Sequence, residues 1–176
     1  MKIILVAAIS LDGFITRHDE PGSGFTSPED KKYFSRVVHE FDTLIFGSTN
    51  FEISKEWIAN HLKPEQLKIV MTREPGRYRA DERPGELEFT SLSPTDLAKT
   101  LREHGRERVC LLGGGKIYGL FLQEKCVDEL WLTLEPRLFG KGVKLADAKL
   151  DSRWELQTHE KLNDSTLLLR YRPADG

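Results

Sequence analysis

The sequence predicts an α/β fold of three layers, α-β-α, built on a mixed, mostly parallel sheet with a C-terminal antiparallel hairpin. Three observations predict it. KIILVAAI (2–9) is a continuously apolar run, the pattern of a strand buried on both faces, and TLIFG (43–47) and LKIVMT (67–72) also read as strands. Helix signals fall between such runs, which implies parallel strands joined by crossover helices. Residues 153–162 and 165–172 flank Asn163-Asp164 as the arms of an antiparallel hairpin would.

The elements follow in order. After the first strand, 10–27 is rich in Gly, Asp, Ser and Pro, and is long for a mere connection, so it is a candidate functional loop. Ser27-Pro28-Glu29-Asp30 then starts a helix: an N-cap, proline in the first turn, acids beside the positive end of the dipole. It runs to about His39. The strand at 43–47 precedes a helix over 50–61, and the strand at 67–72 precedes a turn-rich, Arg-rich stretch to Gly85. A short strand follows at 87–91. Ser93-Pro94-Thr95-Asp96 repeats the helix-start signal, with Leu97, Ala98 and Leu101 on the apolar side. RVCLL (108–112) is a strand, 115–122 a short helix and 127–135 a long strand. The order is β-α-β-α-β-β-α-β-α-β-β-β, in one domain over 1–176.

Composition excludes several classes. Apolar residues make up 39% and charged residues 31% of the 176 residues, a globular balance. A net charge of −2 with interleaved signs leaves no electrostatic footprint for nucleic acid or an anionic membrane. The apolar runs are too short to span a bilayer, and MKIILVAAISLDGF makes a poor signal peptide, so a cytoplasmic location is expected. Cys110 and Cys126 lie too far apart for a zinc motif or a disulfide framework and read as buried free thiols. The five histidines lack metal-ligand spacing. His61 and His104 fall near predicted helix ends, where a cation suits the dipole.

The stretch VCLLGGGKIYGLFL (109–122) carries the chemistry. It is neither a Walker A loop nor a GxGxxG dinucleotide fingerprint. Strand, glycines and helix in that order suit a phosphate, because the backbone can approach closely and the helix end offers free N–H groups. A tight strand–helix turn explains the same residues equally well.

LLGGGKIYGLFLQEKCVDELWLTLEPRLFGKGVKL, VAAISLDGFI and DTLIFGSTNFE together resemble the dihydrofolate-reductase-like superfamily, most closely the riboflavin-biosynthesis reductase (RibD C-terminal) branch. PRLFGKG is similar to the riboflavin-type P-x-L-x-G-x-G loop. The resemblance covers nearly the whole chain and implies a reductase that uses NADPH on a small heterocyclic substrate. It places Gly113, Gly114, Gly115, Lys116, Ile117 and Tyr118 at the cofactor pyrophosphate. It sets Gly47, Ser48 and Thr49 at phosphate and ribose, Ala8 and Ile15 beside the nicotinamide, and Thr72 and Arg73 near the adenosine 2′-phosphate. Family members often carry a base at the position of Ser48, which puts more weight on Arg73, or on Arg77 and Arg79. Arg73 reads otherwise as an ordinary solvated arginine.

Asp30, with Tyr33 and Phe34 following, aligns with the helix carboxylate that grips pterin in dihydrofolate reductases, and is one catalytic candidate. The twin signal at Asp96 supports a plain helix-start acid instead. Asp12, in Ser10-Leu11-Asp12-Gly13, is the second candidate, although Asp-Gly turns are common for conformational reasons. Ser10, Phe34, Thr133 and Glu135 are candidate substrate residues, ordinary strand alternation being the other account of the last two. Gln66 stands where dihydrofolate reductases hold the folate tail with arginine, which argues against folate. The deaminase domain of bifunctional riboflavin enzymes, with its paired H-x-E and P-C-x-x-C motifs, is not expected here: P-C-x-x-C does not occur in the sequence, so only the reductase half is expected. A noncatalytic nucleotide-binding domain is the alternative function, and a homodimer is expected from the family.

Overall fold

In a computed structural model, which describes residues 1–174, eight strands form a single sheet with two helices on each face. The strands are β1 (Lys2–Ser10), β2 (Thr43–Gly47), β3 (Leu67–Met71), β4 (Leu87–Thr90), β5 (Arg108–Leu111), β6 (Glu129–Glu135), β7 (Trp154–Lys161) and β8 (Leu167–Pro173). The helices are α1 (Pro28–Val37), α2 (Ser48–His61), α3 (Pro94–Glu103) and α4 (Gly115–Gln123). Sheet order is β4-β3-β2-β5-β1-β6-β8-β7, parallel from β4 to β6 and antiparallel through the closing hairpin.

Strand alternation divides each apolar run between two cores. Ile4, Val6, Leu44, Phe46 and Val70 face Tyr33 and Val37 of α1 and Phe51 and Ile58 of α2. Ile3, Leu5, Ile45, Ile69 and Leu111 face Leu97 and Leu101 of α3 and Tyr118 and Phe121 of α4. β2 therefore leads into a helix on one face, and its neighbour β5 into a helix on the other. Their carboxyl ends form a topological switch point, where open α/β sheets bind ligands.

Three expectations change in detail. α2 begins at Ser48, directly after β2, because Gly47 is its N-cap with no side-chain bond to signal the start. β6 begins at Glu129; Asp128 instead accepts from the backbone N–H of Ile3. The hairpin joins through 162–166 rather than a two-residue turn: Asn163 Oδ1 accepts from the N–H groups of Ser165 and Thr166, and Leu162 N–H bonds the Thr166 carbonyl. β7 is an exposed edge strand carrying charged and polar residues, the usual defence against edge pairing.

Cys110 is fully buried, and burial pushes its thiol pKa up; Cys126 is only half-buried, contrary to expectation, because it lies outside β6. His61 and His104 close their helices, each ring bonding the carbonyl four residues back. Among the described residues no helix is long and apolar enough to cross a membrane, and no cluster of His, Cys, Asp or Glu could hold a metal.

β1 and β5 part after the Leu5–Leu111 pair, where the chain turns into the glycines. The stranded Val6 carbonyl accepts from the buried Tyr118 hydroxyl at 2.7 Å. Tyr118→Phe would orphan it, at a cost of roughly 1–3 kcal/mol, read as a lower denaturant midpoint.

Candidate functional site

The sequence-predicted residues line up along the carboxyl edge of the sheet in the order of the strands. Thr72 and Arg73 follow β3, Gly47 to Thr49 join β2 to α2, Gly113 to Lys116 join β5 to α4, and Ala8 and Ser10 end β1. Register then sets Ala8 beside Thr133 and Ser10 beside Glu135 on β6. Asp30, on the first turn of α1, closes that end.

The helix starts differ in kind. α1 and α3 have Ser27 and Ser93 as N-caps, each accepting from the N–H three residues on, and acids in the first turn. α2 and α4 have glycine N-caps, no side-chain cap bond and no acid in the first turn. These two uncapped N-termini meet at the β2/β5 switch point. Gly47 N–H donates to the Gly113 carbonyl at 2.7 Å, and Asn50 Nδ2 to the Leu112 carbonyl at 2.8 Å. Free N–H groups and two convergent positive helix ends suit an anion.

The glycines have separate reasons. Gly113 has φ +78°, and a Cβ there would lie 2.6 Å from the Tyr118 ring. A Cβ on Gly115 would collide with the Lys144 carbonyl, and one on Gly47 would lie 2.8 Å from Ile117 Cγ1. Gly114 is different. Its nearest neighbour would be Ile15 Cδ1 at 4.0 Å, so its Cα faces open space below Ile15. Gly113 and Gly114 are joined by a cis peptide bond. Close packing thus accounts for Gly113 and Gly115, and leaves Gly114 as the open position of the turn.

The side chains of the pyrophosphate set are not equivalent. Tyr118 is turned into the core, with its hydroxyl on Val6 and its N–H on the Gly114 carbonyl, so it braces the turn from beneath. Ile117 is half-buried against Gly47, and Lys116 is exposed. Thr49 is exposed and Ser48 half-buried in the first turn of α2. Arg73 is exposed and, among the described residues, forms no ion pair.

At the other end two carboxylates are buried together. Glu135 is 2% exposed. Its Oε1 accepts from the N–H and Oγ of Ser27 at 2.9 and 2.8 Å, and its Oε2 from Thr166 Oγ1 at 3.3 Å. Those donors and the N-terminus of α1 suit its negative charge. Asp30 is 7% exposed. Desolvation pushes its carboxyl above the usual range, against hydrogen bonds from Thr133 and Thr26, and the nearby Glu135 charge adds to the rise. Burial thus favours the protonated form of Asp30, while the Glu135 oxygens are taken up by Ser27 and Thr166. Asp96, at the matching position of α3, is exposed and merely accepts from Ser93 Oγ. The same local signal therefore yields a helix-start acid in one place and a buried acid in the other. Phe34, half-buried one turn after Asp30, lies 5.5 Å from Trp57 of α2 and walls the gap between the helices. A cleft of about 570 Å³ opens beside Glu135, between Ser27, Arg137 and Thr166.

Two candidates are bonded within the loops around them. Asp12, offered by the sequence as catalytic, is filled by donors: Ser10 Oγ at 2.6 Å, Gly140 N–H at 2.7 Å and Phe139 N–H at 3.0 Å. Those bonds, the Ser10 hydroxyl first, hold its carboxyl below the usual range. Ser10, a candidate substrate contact, is fully buried and accepts from Phe14 N–H, so its hydroxyl also belongs to the loop.

The sequence model of the RibD C-terminal domain matches residues 1–168. The chain belongs to that family. Among its relatives in Bacillus subtilis (strain 168), the uncharacterized protein YwjB is 27% identical over 96% of this chain and 89% of its own. The uncharacterized protein YyaP is 23% identical over 82% and 79%. Solved structures share the fold. A putative riboflavin biosynthesis protein from Shewanella sp. PV-4 superposes with a TM-score of 0.74 at 21% identity, over 99% of this chain and 100% of that one. A diaminohydroxyphosphoribosylaminopyrimidine deaminase/5-amino-6-(5-phosphoribosylamino)uracil reductase from Thermotoga maritima gives 0.79 at 18% identity, over 98% of this chain and 56% of that one. The fold of this RibD C-terminal domain is thus the α/β, dihydrofolate-reductase-like one.

Sequence reasoning missed Thr26 and Thr166, and saw in Ser27 only a helix cap. Nothing local marks them: Thr166 follows the 163–165 turn and reaches Glu135 only through the β6–β8 pairing.

Proposed function

We propose that the chain is an NADPH-dependent reductase of a small heterocyclic substrate, of the 5-amino-6-(5-phosphoribosylamino)uracil reductase type. One observation carries the reading: two uncapped helix N-termini meet at the β2/β5 switch point, on the same carboxyl edge of the sheet as the buried acid Asp30. The residues fit the cofactor. Gly114 leaves room for close approach, the N–H groups of Gly115, Ser48 and their neighbours suit a pyrophosphate, and the Arg73 guanidinium suits a phosphate dianion.

Bound there, NADPH supplies a hydride. Ala8 and Ile15 would border its ring, Phe34 would offer an apolar face to the substrate, and Asp30 would supply the proton that a reduced C=N or C=O group takes up. Thr26 and Thr133 orient the Asp30 carboxyl, and Glu135 fixes the start of α1 through Ser27. Gln66 speaks against folate: it is buried, with Nε2 on the carbonyls of Val38 and Phe41 and Oε1 on Lys63 N–H, so it is spent on the backbone. Free Cys110 and Cys126 suit a reducing cytoplasm.

NADPH titration, followed by nucleotide fluorescence and calorimetry, tests the reading; no binding rejects it. Binding without turnover of any pyrimidine, pterin or quinone would favour the noncatalytic domain instead. Arg73→Ala is expected to weaken NADPH binding about tenfold while leaving NADH binding unchanged, since only NADPH carries the 2′-phosphate.

A further inference from the structure

We infer that Asp12 is a positioning residue: its carboxylate clasps the 10–18 loop to the 136–148 strap and so holds Ile15 in place over the open face of Gly114. The functional consequence rests on the NADPH reading, and the structural one does not.

The two segments come from opposite ends of the chain and run alongside each other beyond the sheet. Ile15 N–H donates to the Val143 carbonyl at 2.8 Å, Val143 N–H to Thr16 Oγ1 at 2.9 Å, and Leu145 N–H to the Gly13 carbonyl at 3.0 Å. The strap then crosses α4, where Asp147 N–H bonds the Gly115 carbonyl at 3.1 Å and the Lys144 carbonyl fills the space beside the Gly115 Cα. The strap therefore touches the glycine turn on one side and carries the Ile15 backbone on the other. Ile15 is what overhangs the open face of Gly114.

Most of these links are neutral backbone bonds between exposed or half-exposed residues. Asp12 supplies the charge-assisted ones, gathering Ser10 Oγ, Phe139 N–H and Gly140 N–H on a single carboxylate. The other charged link, Lys141 to Asp19 at 3.0 Å, joins two flexible side chains in solvent and contributes little, whereas the Asp12 carboxylate, also exposed, is held by two backbone N–H groups. Without Asp12 the N–H groups of 139 and 140 lose their acceptor and the Ser10 hydroxyl loses its orientation. The loop and strap then separate, and a ligand must order them as it binds, which weakens it.

The test compares Asp12→Ala, Asp12→Asn and Asp19→Ala with the native protein. Hydrogen–deuterium exchange without nucleotide is expected to quicken about tenfold in Asp12→Ala at 13–18 and 139–147, and to stay unchanged in β1 and β5. The NADPH dissociation constant rises about tenfold in the same variant, with kcat at saturating nucleotide within about threefold. Asp12→Asn, which keeps one acceptor oxygen, recovers part of both losses, and Asp19→Ala shows neither. Unchanged exchange in Asp12→Ala overturns the inference, as does exchange quickened across the whole protein or an unchanged dissociation constant. If native protein binds no NADPH, the proposed function fails while the exchange pattern still decides the clasp.

Discussion

Asp30→Asn is expected to lower turnover by about 10²- to 10⁴-fold, the usual contribution of a positioned general acid. The melting temperature at neutral pH should hold or rise. A carboxyl whose pKa is raised on folding binds more protons folded than unfolded, so stability falls as pH climbs above the unfolded value of about 3.9 and through the raised one. Asparagine keeps the shape and removes that penalty. The pH profile is the second reading: native turnover should decline as pH rises through the raised Asp30 pKa, and the variant should lose that limb. Turnover within threefold of native, or a fall explained by lost folding, would reduce Asp30 to the capping role that Asp96 plays. Asp96→Asn is the matched control and should leave turnover unchanged.

Neighbouring glycines should part company just as clearly. Gly113→Ala forces a side chain onto φ +78° and into the Tyr118 ring, which cannot withdraw without giving up its bond to Val6. Strain and overpacking together amount to roughly 2–5 kcal/mol, a fall in melting temperature of roughly 5–15 °C. Gly114→Ala meets nothing closer than 4.0 Å, at φ −72°, and should melt within about 2 °C of native. Its added methyl occupies the open face below Ile15, so NADPH binding should weaken about tenfold or more. Equal affinity for NADPH in Gly114→Ala and native protein would remove Gly114 from the cofactor site.

The pair also shows what a sequence can and cannot disclose. Three glycines between a strand and a helix supported a ligand cradle and a tight turn alike. The turn uses Gly113 and Gly115, and the open face lies at Gly114, a division set by Tyr118 and by a strap about 30 residues further on. The strands and helices were legible because apolar runs, caps and prolines are local signals. α2 was read two residues late because its start has no cap to read. That lack of a cap is itself the feature that suits an anion. Asp30 and Asp96 have the same local grammar, and only the sheet beneath them tells them apart. The sequence offers Asp12 as a catalytic candidate because its loop borders the site, and does not disclose its partners, since the N–H groups of Phe139 and Gly140 carry no side-chain signature.

The place of β1 in the sheet has a consequence for biosynthesis. Its neighbours are β5 and β6, so Lys2 waits for Arg108 and Ile4 for Glu129. At ribosomal rates of roughly 5–20 residues per second the wait is on the order of 5–20 s. Ile3 to Val6, all buried in the finished sheet, spend that time as an unpaired apolar strand on the nascent chain. β1 is thus made before both strands that flank it, and pairs only after β2, β3 and β4 can already pair with one another.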